Sequence, residues 1–287
     1  MKILPSIKLP VDHNLFLFGD VHEGTILFHE RGFNTFLDMI NSGYKGCSNN
    51  YAVHHGDGIE GITIDDKRYH PDSQPKDDPI PNPLRQVRIH INRLKPIKDK
   101  LLCMLESNHP EKLWRHLRVT QCMCEELDIP YGTWTAKLTI TDRKNRLMYK
   151  SYHTHGKRAI KSDAGNAQRR EDNMKETLMR HLEDQAGDTV LMCKAHVHKL
   201  LIREPFPRLY ITDDGKESHQ AYTTADHTAD WIHPDHRWYV CTGSFLKLFG
   251  DGISGYAEKA EYKPNELGFA IARIRDRKII GIDKIVV

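Results

Sequence analysis

Five short apolar runs in this chain each stop on side chains that can hold a metal ion. That recurrence limits the fold more than any other feature of the sequence. Residues 14–19 run into Asp20 and His22, and residues 51–55 run into Asp57. Residues 100–105 lead to Asn108 and His109, residues 146–152 to His153 and His155, and residues 189–195 to His196 and His198. Short apolar runs closed by glycine or polar residues read as buried strands. Between the first three lie helical patterns. Ile26, Phe33, Phe36, Leu37 and Ile40 share a face over 25–42, with Gly43 to end it. A second helix is expected over 83–94, stopped by Pro96, and a third over 111–127, with Trp114, Leu117, Cys122 and Leu127 as its apolar side. Strand, loop, helix, strand implies parallel neighbours. Open sheets of that kind gather ligands at the carboxyl ends of their strands.

Beyond residue 134 the pattern becomes more antiparallel. Runs 135–141 and 146–152, separated by DRKN, read as a hairpin. A charged helix is expected over 163–186, and most of the remainder is strand-like. No repeat or linker divides the 287 residues, so one α/β domain spanning 1–287 is expected, with loop insertions near 61–82 and 213–236. That length supports a core without disulfide staples. Six cysteines with no zinc-finger spacing read as reduced thiols in a cytoplasmic protein. The first residues carry Pro5 and Pro10 and no apolar signal segment. No stretch nears the ~20 apolar residues of a membrane span. The net charge of +3 neither supports nor excludes a nucleic-acid partner.

The donor types narrow the chemistry. Asp, Asn and His together offer oxygen and nitrogen, which suits Mn, Fe, Zn or Ni better than Ca or Mg. A carboxylate such as Asp57 can bridge two cations. Two ions ~3.5–4 Å apart clamp a phosphoryl group and activate water. Each piece alone has a duller explanation. Asp20 could be a turn residue, His109 a helix N-terminal residue, and His196 with His198 an inward pair on a strand. Five strand ends carrying such residues in one chain are poorly explained that way.

The series GDVHEG, HGDGIEG, SNHPE, HTHG and AHVHK resembles the motifs of the calcineurin-like metallophosphoesterases, and the tail from Cys241 is similar to tails of phage and prophage members. The motifs span Gly19 to His198, about two thirds of the chain. The resemblance implies a four-layer α/β/β/α sandwich with mixed sheets and two divalent metal ions, Mn first. Asp20, His22 and His198 would hold one ion. Asn108, His196 and a histidine after the hairpin would hold the other, and Asp57 would bridge them. His153 and His155 are both available for the hairpin position. His153, at the strand's end, is preferred. His109 would stabilise developing charge or protonate the leaving oxygen, with Asp57 as its catalytic partner. Glu60, Glu111, His155 and Arg158 would stand behind the ligands or touch substrate. Three departures stand out: Ser107 replaces a glycine, Pro110 replaces an acid with Glu111 one place late, and Ala195 replaces a glycine.

The expected function is phosphoester hydrolysis, foremost as a phosphodiesterase or nuclease on DNA or nucleotides. A phosphomonoesterase, including a protein phosphatase of phage type, is the alternative, and a non-catalytic binding protein of the same fold a third. Lys157, Arg158, Lys161, Arg169 and Arg170 could face substrate phosphates or simply line a solvated helix. The stretch 224–238, with Trp231 and three histidines, could be a lid or a polar surface loop.

Overall fold

The computed structural model describes residues 1–76, 79–115, 117–253 and 256–287. Its first short strands, β1 (Lys2–Ile3) and β2 (Ile7–Lys8), lead into β3 (His13–Phe18), which is buried along its whole length. Burial on both faces explains why β3 reads as a continuous apolar run rather than an alternating one. There follow α1 (Glu30–Asn41), β4 (Asn50–His54), α2 (Pro83–Leu94), β5 (Leu101–Met104), α3 (Asn108–Glu111) and α4 (Val119–Leu127). The second half holds β6 (Thr135–Thr141), β7 (Leu147–Thr154), α5 (Ala167–Leu182), β8 (Leu191–Lys194), β9 (Leu200–Arg203), β10 (Leu209–Asp213), β11 (Ser218–Tyr222), β12 (Trp238–Thr242), α6 (Tyr256–Lys259), β13 (Gly268–Arg275) and β14 (Lys278–Val286).

Two mixed sheets result. One has the order β14-β13-β3-β4-β5, with β3, β4 and β5 parallel and β13 antiparallel to β3. The other has the order β1-β6-β7-β8-β12-β9, with β2 also on β6. In it β7, β8 and β12 are parallel, β6 runs antiparallel to β7 but parallel to β1 and β2, and β9 runs antiparallel to β12. One apolar cluster takes residues from both sheets, including Leu15, Leu17, Ala270 and Ile274 from one and Leu138, Tyr149, Leu191 and Val240 from the other. The opposite face of β3 sends Phe16 and Phe18 into a second cluster with Phe33, Phe36 and Ile40 of α1 and Val87 and Ile91 of α2. Leu178 and Leu182 of α5 join Met192 of β8 and Tyr239 of β12 in a third.

Several expected bounds shift. The helix expected over 25–42 begins at Glu30, because residues 24–27 are spent on a turn in which the Thr25 hydroxyl accepts from the Leu27 N–H. The helix expected over 111–127 is divided. Pro110 fits the first turn of α3, and a turn separates α3 from α4, with His116 outside the described residues. The helix expected over 163–186 shortens to α5, whose start is capped by Asn166 accepting from the Arg169 N–H. The stretch 61–82 forms no strand or α-helix among its described residues; Asp77 and Asp78 lie outside them, as do Ser254 and Gly255 in the tail. The insertion near 213–236 is partly regular, since Ser218–Tyr222 pairs with β10 as a separate hairpin. Residues 224–238 are no lid. The Ile232 N–H bonds the Gly187 carbonyl, which places the segment at the amino end of β8 and not at its carboxyl end. All six cysteines are free. No helix among the described residues is long and apolar enough to cross a membrane.

Candidate metal centre

The loops leaving the carboxyl ends of β3, β4, β5, β7 and β8 converge. Those after β3 and β4 run side by side. The amides of Val21 and His22 both donate to the Asp57 carbonyl, at 2.8 and 3.0 Å, and the Glu60 amide donates to the Glu23 carbonyl at 2.9 Å. This lacing holds an unusual backbone. Asp20, His22, Asp57, His196 and His198 all have positive φ, between 48° and 72°. Left-handed backbone is costly for non-glycine residues and concentrates at functional sites.

Asp20, His22 and His198 form one group whose ligand atoms lie within 4.8 Å of one another, and Asp57, His155 and His196 form another. Asp20 Oδ2 accepts from the His196 amide at 2.9 Å, while its Oδ1 is buried with no partner. An orphaned carboxylate oxygen facing histidine nitrogens fits a cation. His22 Nδ1 donates to Glu60 Oε2 at 2.6 Å, leaving Nε2 turned to His198 Nε2 at 3.3 Å. His155 Nδ1 donates to the His55 carbonyl at 2.7 Å. Its Nε2 lies 2.8 Å from Asn108 Oδ1 and 3.2 Å from Asp57 Oδ2. His196 Nδ1 lies 2.9 Å from the same Asn108 oxygen. A ring that spends one nitrogen on a fixed acceptor presents the other as a ligand, the usual support behind metal-binding histidines.

Of the two hairpin histidines, the structure brings His155 and not the preferred His153 to the group with Asp57 and His196. Side chains two apart on a strand share a face, and each residue advances the chain by about 3.3 Å. His153 therefore sits one layer deeper, where its Nδ1 meets His55 Nε2 at 2.9 Å and its Nε2 meets Ser151 Oγ at 2.8 Å. With Cys193 these two histidines form a buried group inside the core. Glu111 also differs from expectation. Its carboxylate pairs with Lys157 at 3.3 Å and does not touch His109. Glu60 has that place instead. Its carbonyl accepts from His109 Nδ1, and its Oε2 lies 3.9 Å from the same ring. His109 Nε2 faces Asp57 Oδ2 at 4.0 Å and Arg68 Nη1 at 3.2 Å. Arg158 is exposed and touches none of these ligands.

Burial works on every charge here. It pushes Asp20 up to about 7, against the pull of His155. Burial pushes Asp57 the same way, but His155 and then His109 overcome it and hold that carboxyl well below the usual range. Burial lowers His22 and Glu60 raises it, with a net rise. A bound cation would override this balance by favouring both carboxylates ionised.

No family model matches the chain. No curated protein matches it either.

Four residues near the site were given no role from sequence. Ser107 stands where a glycine was expected, and its Oγ accepts from the Asp57 amide at 2.7 Å. Glu106, fully buried, accepts from the Ser107 amide, Thr120, Trp114 and Tyr131 and so fixes the start of α3. Arg68, held by Asp66, comes from the Asp/Pro-rich loop whose position near the mouth was legible. Lys194 hid in an apolar run two residues before His196. A serine after a buried glutamate carries no pattern, so only Arg68 had a signal.

Proposed function

We propose that the chain is a dinuclear metal-dependent phosphoester hydrolase, built as a four-layer helix–sheet–sheet–helix sandwich and acting foremost as a phosphodiesterase or nuclease on DNA or nucleotides. One observation carries the reading: seven donor residues from five strand ends face one another, five of them on left-handed backbone, with an orphaned carboxylate oxygen among them. Asp20, His22 and His198 would hold one ion, Asn108, His155 and His196 the other, and Asp57 both. Two such ions, Mn the first choice, would supply Lewis acidity toward phosphoryl oxygens and an activated water. The chain's own residues do the rest. Glu60 fixes the rings of His22 and His109. Ser107 and the paired loops hold Asp57 in place. His109 Nε2, beside Arg68 at the mouth, is positioned to meet the leaving oxygen.

Arg68 favours a second reading. A guanidinium beside the centre could grip a terminal phosphate, which suits a monoester. Turnover of bis-p-nitrophenyl phosphate against p-nitrophenyl phosphate, with Mn added, separates the two. We expect diester turnover, with Asp57→Asn and His109→Ala each lowering kcat at least a hundredfold. Monoester preference would select the second reading. A purified protein that binds no divalent metal would remove both.

A further inference from the structure

Between β9 and β12 the chain leaves both sheets and forms the hairpin of β10 and β11, a two-stranded sheet of its own. It is tied to the body at its base. The Phe206 N–H donates to the Asp235 carbonyl at 2.7 Å, Arg208 pairs with Asp235, and the Thr223 hydroxyl meets His236 Nε2 at 2.8 Å. Beyond that base, bulky apolar side chains stand in the open. Leu209, Ile211 and Tyr222, on one face, are 53, 74 and 62 % exposed, and Tyr210, on the other, is 45 % exposed. A two-stranded hairpin with no covered face is marginally stable in water. An uncovered edge strand is normally blunted by lysine, proline or a bulge. β10, reading LYITD, has none of these.

The hydrogen bonds fix which groups of β10 point outward. The Thr223 amide donates to the Arg208 carbonyl and the Asp214 amide to the Glu217 carbonyl, so the even-numbered residues turn their backbone groups to β11. In an antiparallel ladder the alternate residues face the other way. Leu209, Ile211 and Asp213 therefore present N–H and C=O at the outer edge, where no strand pairs with them among the described residues. A second copy of the same edge satisfies them. With the two Ile211 residues opposite each other, Leu209 of each copy faces Asp213 of the other, and these pairs exchange hydrogen bonds. The same register sets Arg208 opposite Asp214 on both sides of the axis, at the close positions where side chains meet. Asp235 takes one nitrogen of Arg208, and Asp214 spends only Oδ1 on the turn amides of Lys216 and Glu217, so both charges have capacity left. Moving the axis to residue 210 or 212 keeps the ladder but sets Arg208 against Thr212 or Lys216. The outer edge of β11 offers no such match, since an axis at Gln220 sets Glu217 against Thr223.

We propose that two copies of this chain associate through β10, about a twofold axis at Ile211, and join their hairpins into one four-stranded sheet. The interface is isologous, the commonest kind in soluble dimers. β9 starts two residues past His198 and runs antiparallel to β12, away from the metal centre. The hairpin thus lies at the far end of its sheet, and the dimer leaves both centres open.

Sedimentation equilibrium of the wild-type chain should show a reversible dimer. Ile211→Lys, which brings two ammonium groups together at the axis, should weaken it roughly tenfold or more. Ile211 is largely exposed in the single copy, so this variant should keep its metal content and, diluted to monomer, the wild-type melting curve. Asp214→Asn keeps the turn acceptor and removes the charge, and should weaken the dimer several-fold through two lost ion pairs. The register has its own test. Hydrogen-bonded partners lie about 5.5 Å apart between Cα atoms, within disulfide reach. Ile211→Cys should therefore link two chains on mild oxidation, and Tyr222→Cys, on the same face but a strand away from the axis, should not. Wild type is the blank, because its own cysteines are buried or half-buried. A wild type that stays monomeric, or a dimer that Ile211→Lys leaves intact, overturns the proposal. Crosslinking at Tyr222 as readily as at Ile211, or a dimer indifferent to Asp214→Asn, overturns the register.

Discussion

Two histidines two residues apart, His153 and His155, have opposite duties. His155 gives its Nε2 to the group with Asp57 and Asn108, while both nitrogens of His153 are spent inside the core. Replacing each by alanine should separate metal binding from stability. His155→Ala should lose about one equivalent of bound metal by elemental analysis and melt near wild type when both are stripped. His153→Ala should keep its metal and lose about 2–4 kcal/mol in urea, from a cavity and an unpaired buried His55 nitrogen. A second contrast concerns Ser107. Removing its hydroxyl in Ser107→Ala leaves the Asp57 amide without an acceptor. Mn affinity should fall about tenfold, as expected for a group that orients a ligand, which a calorimetric titration would read.

At the scale of elements, the helix α1 owes its position to an aromatic stack. Phe36 is fully buried and its ring lies within 6.1 Å of those of Phe16, Phe18, Phe245 and Phe269. Phe36→Ala should cost about 3–5 kcal/mol in equilibrium unfolding. This stripe was legible as a period of three to four in the sequence, and so were the strands that end in ligands. What was not legible has a physical reason. The register that sends His153 inward depends on where β7 pairs with β6 and β8, a tertiary fact. The break between α3 and α4 depends on Glu106 capturing Trp114 and Thr120, contacts made after the chain has folded back. The strand β11 was hidden because it is not buried, and exposed strands lack the alternation that marks them.

Acid should loosen the whole molecule through histidines held neutral. Burial lowers His13 to about 4, and burial with Arg93 lowers His90 to about 3. In the unfolded chain both protonate near 6.5. Between those values the unfolded state binds more protons, so stability rises with pH. Their contribution is full above pH 6.5 and is lost as pH falls toward 4. His13 alone accounts for something on the order of 3 kcal/mol. Urea midpoints at constant temperature should fall steadily from pH 7 to pH 5. His13→Gln, which has no proton to gain, should flatten the slope.

The proposed ligands arrive from two different sheets. Asp20, His22, Asp57 and Asn108 follow β3, β4 and β5, while His155, His196 and His198 follow β7 and β8. Asp20 and His198 are far apart in sequence, and contacts at such separation form late because loop closure must come first. A half-assembled chain with one sheet in place owns only half a site. Mn would then act as a clock for folding: its tight uptake in a stopped-flow refolding experiment should lag behind the burial signal of either sheet and coincide with the moment the two sheets meet.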